Sequence, residues 1–302
     1  MSIHTRFFGQ READDAPDAL VGGKKTDNAP ALQVLLADAA ALDPDAITEA
    51  LRRWHPSLAQ ARCEVAGELN EERKLFGLAG WGPHVLQLVG FDVPMPAGAV
   101  EACVAPSHYG PDLKDQARAH RSHLLLWYVG RAKSVVEQYV ALTAFAAVLA
   151  EFGAVVVLNE DARTSFPAAA LTGQDEEADR LDLLRTLPLP ILYCGFVKYN
   201  VPNDTRVWMR TYGGHVLGVP DLAVYAAGHH EGERYFSMFD AILRYMLDSG
   251  KLLAAGHTMQ VGADDYLRCR APRPDETWLE SKGDVLLVEI IRADQVNKPR
   301  KR

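Results

Sequence analysis

The run SVVEQYVALTAFAAVLAEFG, Ser134 to Gly153, followed at once by AVVVL, constrains this chain more than any other feature. It reads as a helix with Gly153 at its C-terminal cap, where glycine takes the left-handed conformation without a Cβ penalty. The apolar residues after it read as a buried strand. A helix turned back by a glycine onto a strand belongs to layered folds that mix helices and sheets. The same alternation recurs along most of the 302 residues.

Before that unit, ALQVLLADA (Ala31 to Ala39) reads as a strand and DPDAITEALRRWHPS as a helix. Asp43 is its N-cap, Pro44 suits the first helical position, and Ile47, Leu51 and Trp54 share one face until Pro56 stops it. ARCEVAGEL and KLFGLAGWG read as strands, and HVLQLVGFDVP is apolar enough on both faces for a sheet centre. A helical region from Ala97 to His120 breaks near Pro106 to Pro111, and HLLLWYVG is a buried strand.

In the second half, ILYCGFVKYNV and RVWMRTYG form a hairpin across PND, and PDLAVYAA is a strand. ERYFSMFDAILRYMLDSG is a helix with Phe236, Phe239, Leu243 and Met246 on one face. GHTMQVG and DVLLVEIIRAD are strands. The expected fold class is α/β (α+β): two mixed-sheet units covered by helices, with antiparallel pairs where connections are too short for a crossover. A charged connector at 172–185 separates an N-terminal α/β domain, 30–171, from a C-terminal one, 186–296. A loose arm, 1–29, and a basic tail, 297–302, flank them.

Where the strand AVVVL ends, the chain turns polar: Asn159, Glu160, Asp161, Arg163, Thr164, Ser165. Ligands collect beyond the carboxyl ends of strands, so Glu160 or Asp161 suits a general base, Arg163 an anion clamp and Ser165 a nucleophile, with Asn159 beside them. The same residue types hydrogen-bond their own backbone in turns, and that structural reading stands ahead of the catalytic one. The connector gathers Asp175, Glu176, Glu177, Asp179 and Asp182 into eight residues. They form either a solvated face or a steering surface for a basic partner.

Other motifs argue for restraint. Cys63, Cys103, Cys194 and Cys269 lack the spacing of a zinc knuckle or a redox pair and read as small buried hydrophobes. His120 with His123, and His229 with His230, have no obvious companions for a metal. LFGLAGWGPH and TYGGHVLGVPD fit neither glycine-rich nucleotide motif, so no cofactor is expected. The net charge of −8 repels nucleic acid and anionic lipid. ALTAFAAVLAEF reads as too short to span a bilayer, and the first twenty residues lack a signal peptide's apolar segment, which reads as a soluble cytoplasmic chain.

YGGHVLGVPDLAVYA, with its glycine followed by Gly-x-Pro-Asp-Leu, and LLAAGHTMQVG after the amphipathic helix resemble the bacterial family named domain of unknown function 4261. The second segment departs from the family's usual Asp-Gly-Asp-Thr-Ile, since Ala255 and His257 replace both acids. RWHPSLAQARCEV, GLAGWGPHVLQLVGFDVPMP and LNEDARTSFPAA extend the resemblance over roughly residues 30 to 295. The resemblance implies a non-catalytic cytoplasmic immunity protein that neutralises a secreted antibacterial toxin, such as those delivered by type VI secretion. The expected partner is a basic cognate toxin, such as a nuclease, rather than nucleic acid or membrane. The alternative is a hydrolase or transferase with its site at the Asn159–Ser165 loop.

Overall fold

The computed structural model describes residues 20, 28–39, 42–66, 74–172, 178–201 and 206–296. Most of the expected N-terminal arm, the basic tail, and Asp175, Glu176 and Glu177 of the connector lie outside them.

The first half builds a seven-stranded sheet from β1 (Ala31–Leu36), β2 (Arg62–Ala66), β3 (Lys74–Trp81), β4 (His84–Phe91), β5 (Ser122–Tyr128), β6 (Ala154–Asn159) and β7 (Thr164–Pro167). Their order is β2-β3-β4-β5-β1-β6-β7. Every neighbouring pair is antiparallel, where mixed pairing was expected. The second half builds a six-stranded sheet from β8 (Gly195–Tyr199), β9 (Val207–Tyr212), β10 (Asp221–Ala226), β11 (Thr258–Gln260), β12 (Asp265–Arg270) and β13 (Val285–Arg292). Its order is β11-β12-β13-β10-β9-β8, and it is mixed because β10 and β13 run parallel. The molecule is thus an α+β fold of two sheets that share no strand.

Strand alternation decides what each face covers. On β1, Leu32, Val34 and Leu36 join one buried cluster and Leu35 another; on β6, Val157 joins the first while Val156 and Leu158 join the second. The first face packs under α1 (Pro44–Trp54) and α4 (Val135–Val148). The second carries α2 (Ala97–Val104) and α3 (Pro111–Arg118), whose Val100, Cys103, Val104 and Ala117 are buried there. Asp43 caps α1 as its sequence suggests, accepting from the amides of Asp45 and Ala46 at 3.0 and 3.3 Å.

α4 continues through a short 3-10 turn to Gly153, whose φ of 86° closes it. Counted together, Val135–Phe152 is long and apolar enough to cross a membrane, which corrects the expectation of too short a run. The fold buries it instead, with every residue from Tyr139 to Val148 inside. α5 (Arg180–Thr186), α6 (Leu189–Leu192), α7 (Gly214–Leu217) and α8 (Gly232–Ser249) complete the helices. One buried cluster runs from Leu32 through α4, α5, α6 and α8 to Val288 on β13, so the two sheets share an apolar interior. The four cysteines are free and buried, and burial pushes the Cys63 and Cys103 thiols up to about 12.

The pair His120 and His123 is structural. His120 Nε2 accepts from the Met95 amide at 2.7 Å while Nδ1 meets the Ala117 carbonyl at 2.7 Å, which fits only the neutral ring. Burial holds the pKa of both histidines below the ordinary value. The unfolded chain therefore binds these protons more readily than the folded one. Their contribution to stability is present above the ordinary pKa of about 6.5 and is lost as pH falls through the lower folded-state values. The urea midpoint is expected to drop on acidification below about pH 6.5, and His120→Gln to flatten that dependence. Equal pH slopes for parent and variant would refute the assignment.

Candidate functional site

The β6–β7 turn, Glu160 to Arg163, is locked from beneath. Asn159 is buried; its Nδ2 donates to the Leu192 carbonyl at 2.8 Å and to Tyr139 Oη at 3.3 Å, and its Oδ1 accepts from the Ala162 amide at 3.2 Å. Thr164 Oγ1 donates to the Ile191 carbonyl at 3.0 Å. Ala162 then sits against two glycines of the second half. A Cβ on Gly195 would overlap the Ala162 carbonyl oxygen, and one on Gly213 would lie 3.2 Å from the Ala162 Cα. Small residues on the second sheet let the turn of the first approach backbone to backbone.

That approach places Glu160, Asp161 and Arg163 opposite Tyr212, His215 and Lys282, across a cleft of about 340 Å³. Gln33 and Trp127 of the first sheet also line it. Asp161 is the central acceptor: Lys282 Nζ lies 2.6 Å from its Oδ1 and His215 Nε2 3.6 Å. His215 Nδ1 is buried without a hydrogen-bond partner among the described residues. Arg163 has a φ of 50°, the only positive value outside glycine among the described residues. Its guanidinium lies 4.2 Å from the centre of the Tyr212 ring, a cation–π contact. A non-glycine residue held in that conformation costs on the order of 1–3 kcal/mol, and such strain gathers at sites with a task.

Glu160 is exposed, and its carboxylate meets no cation or hydrogen-bond donor among the described residues. Partial burial, and then the adjacent Asp161 carboxylate, raise its pKa above the usual range; Lys282 opposes them. Of the four residues suggested by sequence, the cleft therefore gathers two, Glu160 and Arg163. Asn159 serves the turn. Ser165 is buried, donates to the Cys103 carbonyl at 3.1 Å, and shares hydroxyl contacts with Ser107 and Tyr109 at 2.9 and 2.8 Å. A carbonyl is no base, and among the described residues no histidine bonds to that hydroxyl.

The two described carboxylates of the acidic connector have local partners. Asp179 caps α5 by accepting from the Asp182 amide at 3.0 Å and lies 3.1 Å from His55 Nε2. That amide, more than His55, lowers its pKa. Asp182 pairs with Arg185 at 2.8 Å. Sequence reading weighed Asp161 only as an alternative base and overlooked Tyr212, His215 and Lys282. Asp161 and His215 sit inside segments already singled out, but nothing local marks Lys282, which lies 121 residues from Asp161.

A buried pair supports the second wall. Arg210 and Asp221 are both fully buried, with Arg210 Nη2 3.7 Å from Asp221 Oδ2 and without a hydrogen bond among the described residues. Asp221 accepts from the Gly214 amide at 2.9 Å, Ser281 Oγ at 2.8 Å and Thr211 Oγ1 at 3.3 Å. Burial pushes its carboxyl up, while these donors and Arg210 pull it down. One carboxylate thereby ties β9, the α7 turn carrying His215, and the loop carrying Ser281 and Lys282. This supplies a physical reason for the acid in Gly218-Val219-Pro220-Asp221-Leu222. In the LLAAGHTMQVG turn, by contrast, the His257 ring serves the turn itself, its Nδ1 accepting from the Ala254 amide at 3.3 Å, while the His257 carbonyl accepts from the Cys269 amide at 2.9 Å.

No curated protein and no solved structure matches the chain. The sequence model of the family described as Domain of unknown function (DUF4261) matches residues 210–286. That stretch holds Arg210, Tyr212, His215, Asp221, Ser281 and Lys282, whereas Glu160, Asp161 and Arg163 lie outside it. Over residues 210–286 the chain is thus similar to the DUF4261 family, and that stretch forms the second wall of the cleft.

Proposed function

We propose that this chain is a cytoplasmic immunity protein that binds a basic antibacterial toxin and blocks it, using the inter-sheet cleft as an anchor for a cationic side chain. The observation that carries this reading is the unpartnered Glu160 carboxylate at a cleft whose own cations are already engaged with Asp161 and Tyr212. A lysine or arginine of the partner would relieve the repulsion between Glu160 and Asp161, and charge-assisted bonds of this kind are strong. The net charge of −8 would accelerate the encounter, and Glu176 and Glu177 would add to that steering.

The experiment is co-expression with the product of the adjacent gene, followed by binding kinetics at rising salt. Protection at one chain per toxin is expected, with association slowing as salt rises. Glu160→Gln should speed dissociation about tenfold or more, as loss of one partner of a close charge pair does. Charge reversal at Glu176 and Glu177 should act on the association rate instead. No protection would sink the reading.

One observation favours a second reading: Glu160, with its raised pKa, shares the cleft with Arg163 and His215, the convergence a hydrolase or transferase requires. The same experiment separates the two. Protection in which one chain inactivates many toxin molecules, and which Glu160→Gln abolishes without weakening binding, would favour the enzyme.

A further inference from the structure

A second cavity, of about 230 Å³, opens beside the same hairpin and is distinct in its chemistry. Its apolar walls come from stretches remote in sequence: Phe166 on β7, Ile191 on α6, Phe196 on β8 and Phe236 on α8. Phe196 and Phe236 meet edge to face with ring centres 5.7 Å apart. Tyr109 and Ser165 supply a hydroxyl pair 2.8 Å apart, and Ser107, His108, Arg163 and Thr164 add to the polar part of the lining.

The electrostatics are one-sided. Among the described residues no aspartate or glutamate lines the cavity. Lys114 Nζ lies 5.9 Å from the Tyr109 ring centre. Partial burial, then the charges of Lys198 and Lys114, hold the His108 pKa below its ordinary value, so the charges acting on this ring are cations. An apolar chamber with a few converging polar groups is the usual form of a small-molecule site. A dry cavity of about 150 Å³ already takes benzene. The space here exceeds that by enough for a ring bearing one carboxylate.

We propose that this cavity binds a small monocarboxylic acid with a compact apolar body, of the size of benzoate or phenylacetate. The body lies among Phe166, Phe196 and Phe236, and the carboxylate lies toward His108 and Arg163. This site does not depend on the toxin-binding reading.

Four probes test it by thermal unfolding and calorimetric titration of the full chain: benzoate, phenylacetate, benzyl alcohol and inorganic phosphate. The two aromatic acids are expected to bind and to raise the unfolding temperature. Benzyl alcohol, alike in shape but neutral, should bind roughly tenfold more weakly or less, and phosphate, charged but without the body, not at all. His108→Gln, at an exposed position, should weaken benzoate severalfold, and Phe236→Trp should block it by filling the chamber. Crystals grown with 4-bromobenzoate should place the bromine against Phe196 and Phe236, a readout that holds even if Phe236→Trp fails to fold. Binding of no probe, equal binding of benzyl alcohol and benzoate, or bromine elsewhere on the molecule would overturn the proposal.

Discussion

Gly195→Ala is expected to destabilise the chain by about 3 kcal/mol or more, at the upper end of what one added methyl group does in a packed interior. The reason is the identity of the obstructing atom. The new Cβ would meet the Ala162 carbonyl oxygen, which is backbone and cannot rotate away as a side chain can. Ala162 is itself fully buried and hydrogen-bonded to Asn159, so the whole β6–β7 turn would have to lift from the second sheet. Glu160 and Arg163 would move with it, away from Tyr212 and Lys282. Gly98→Ala on α2 is the control, because nothing lies within 4 Å of its Cβ position. There the helix should gain up to about 1 kcal/mol. Urea unfolding of the two variants beside the parent checks both, and a parent-like midpoint for Gly195→Ala would show the junction to be looser than its geometry says.

Asp221→Ala is expected to cost about 3–5 kcal/mol, because it leaves the guanidinium of Arg210 buried without a counter-charge. The loss should extend beyond stability. The Ser281 hydroxyl and the Gly214 amide lose their acceptor at the same time, so the segments bearing Lys282 and His215 lose their common tether. Arg210→Met in the Asp221→Ala background should recover part of the cost, since removing the second charge ends the uncompensated burial. The measurement is a double-mutant cycle by urea unfolding, combined with binding kinetics of each variant toward the proposed partner. Strictly additive effects would mean that the pair, 3.7 Å apart, is not energetically linked.

Elements with local signatures were readable from the chain. The Asp43 cap, the Pro56 stop, the Gly153 terminus and the α8 face with Phe239, Leu243 and Met246 all depend on neighbours within a turn or two, and all appear in the fold. Elements whose signals are weak or hidden were not. β12 has Leu267 and Cys269 buried in alternation, but its charged neighbours conceal the pattern and its pairing with β13 establishes the strand. α5 lies inside the charged connector, where Leu181 and Leu184 mark a buried face that the surrounding acids obscure. The short α7 lies between left-handed Gly213 and Gly218, in a stretch too short to show a helical period.

The site divides along the same line. Composition and local pattern were enough for the α+β class, for the polar turn after β6 and for the acidic net charge. They also singled out the segment around Gly214 and Asp221 that the DUF4261 match now includes. They could not show that Ala162 would rest on Gly195 and Gly213, or that Glu160 and Arg163 would face the cleft while Asn159 and Ser165 turned inward. Nor could they bring Lys282 to Asp161. Those outcomes depend on two sheets meeting through a shared apolar interior, and contact across such a junction leaves no periodicity, cap or spacing in the chain from which it could be read.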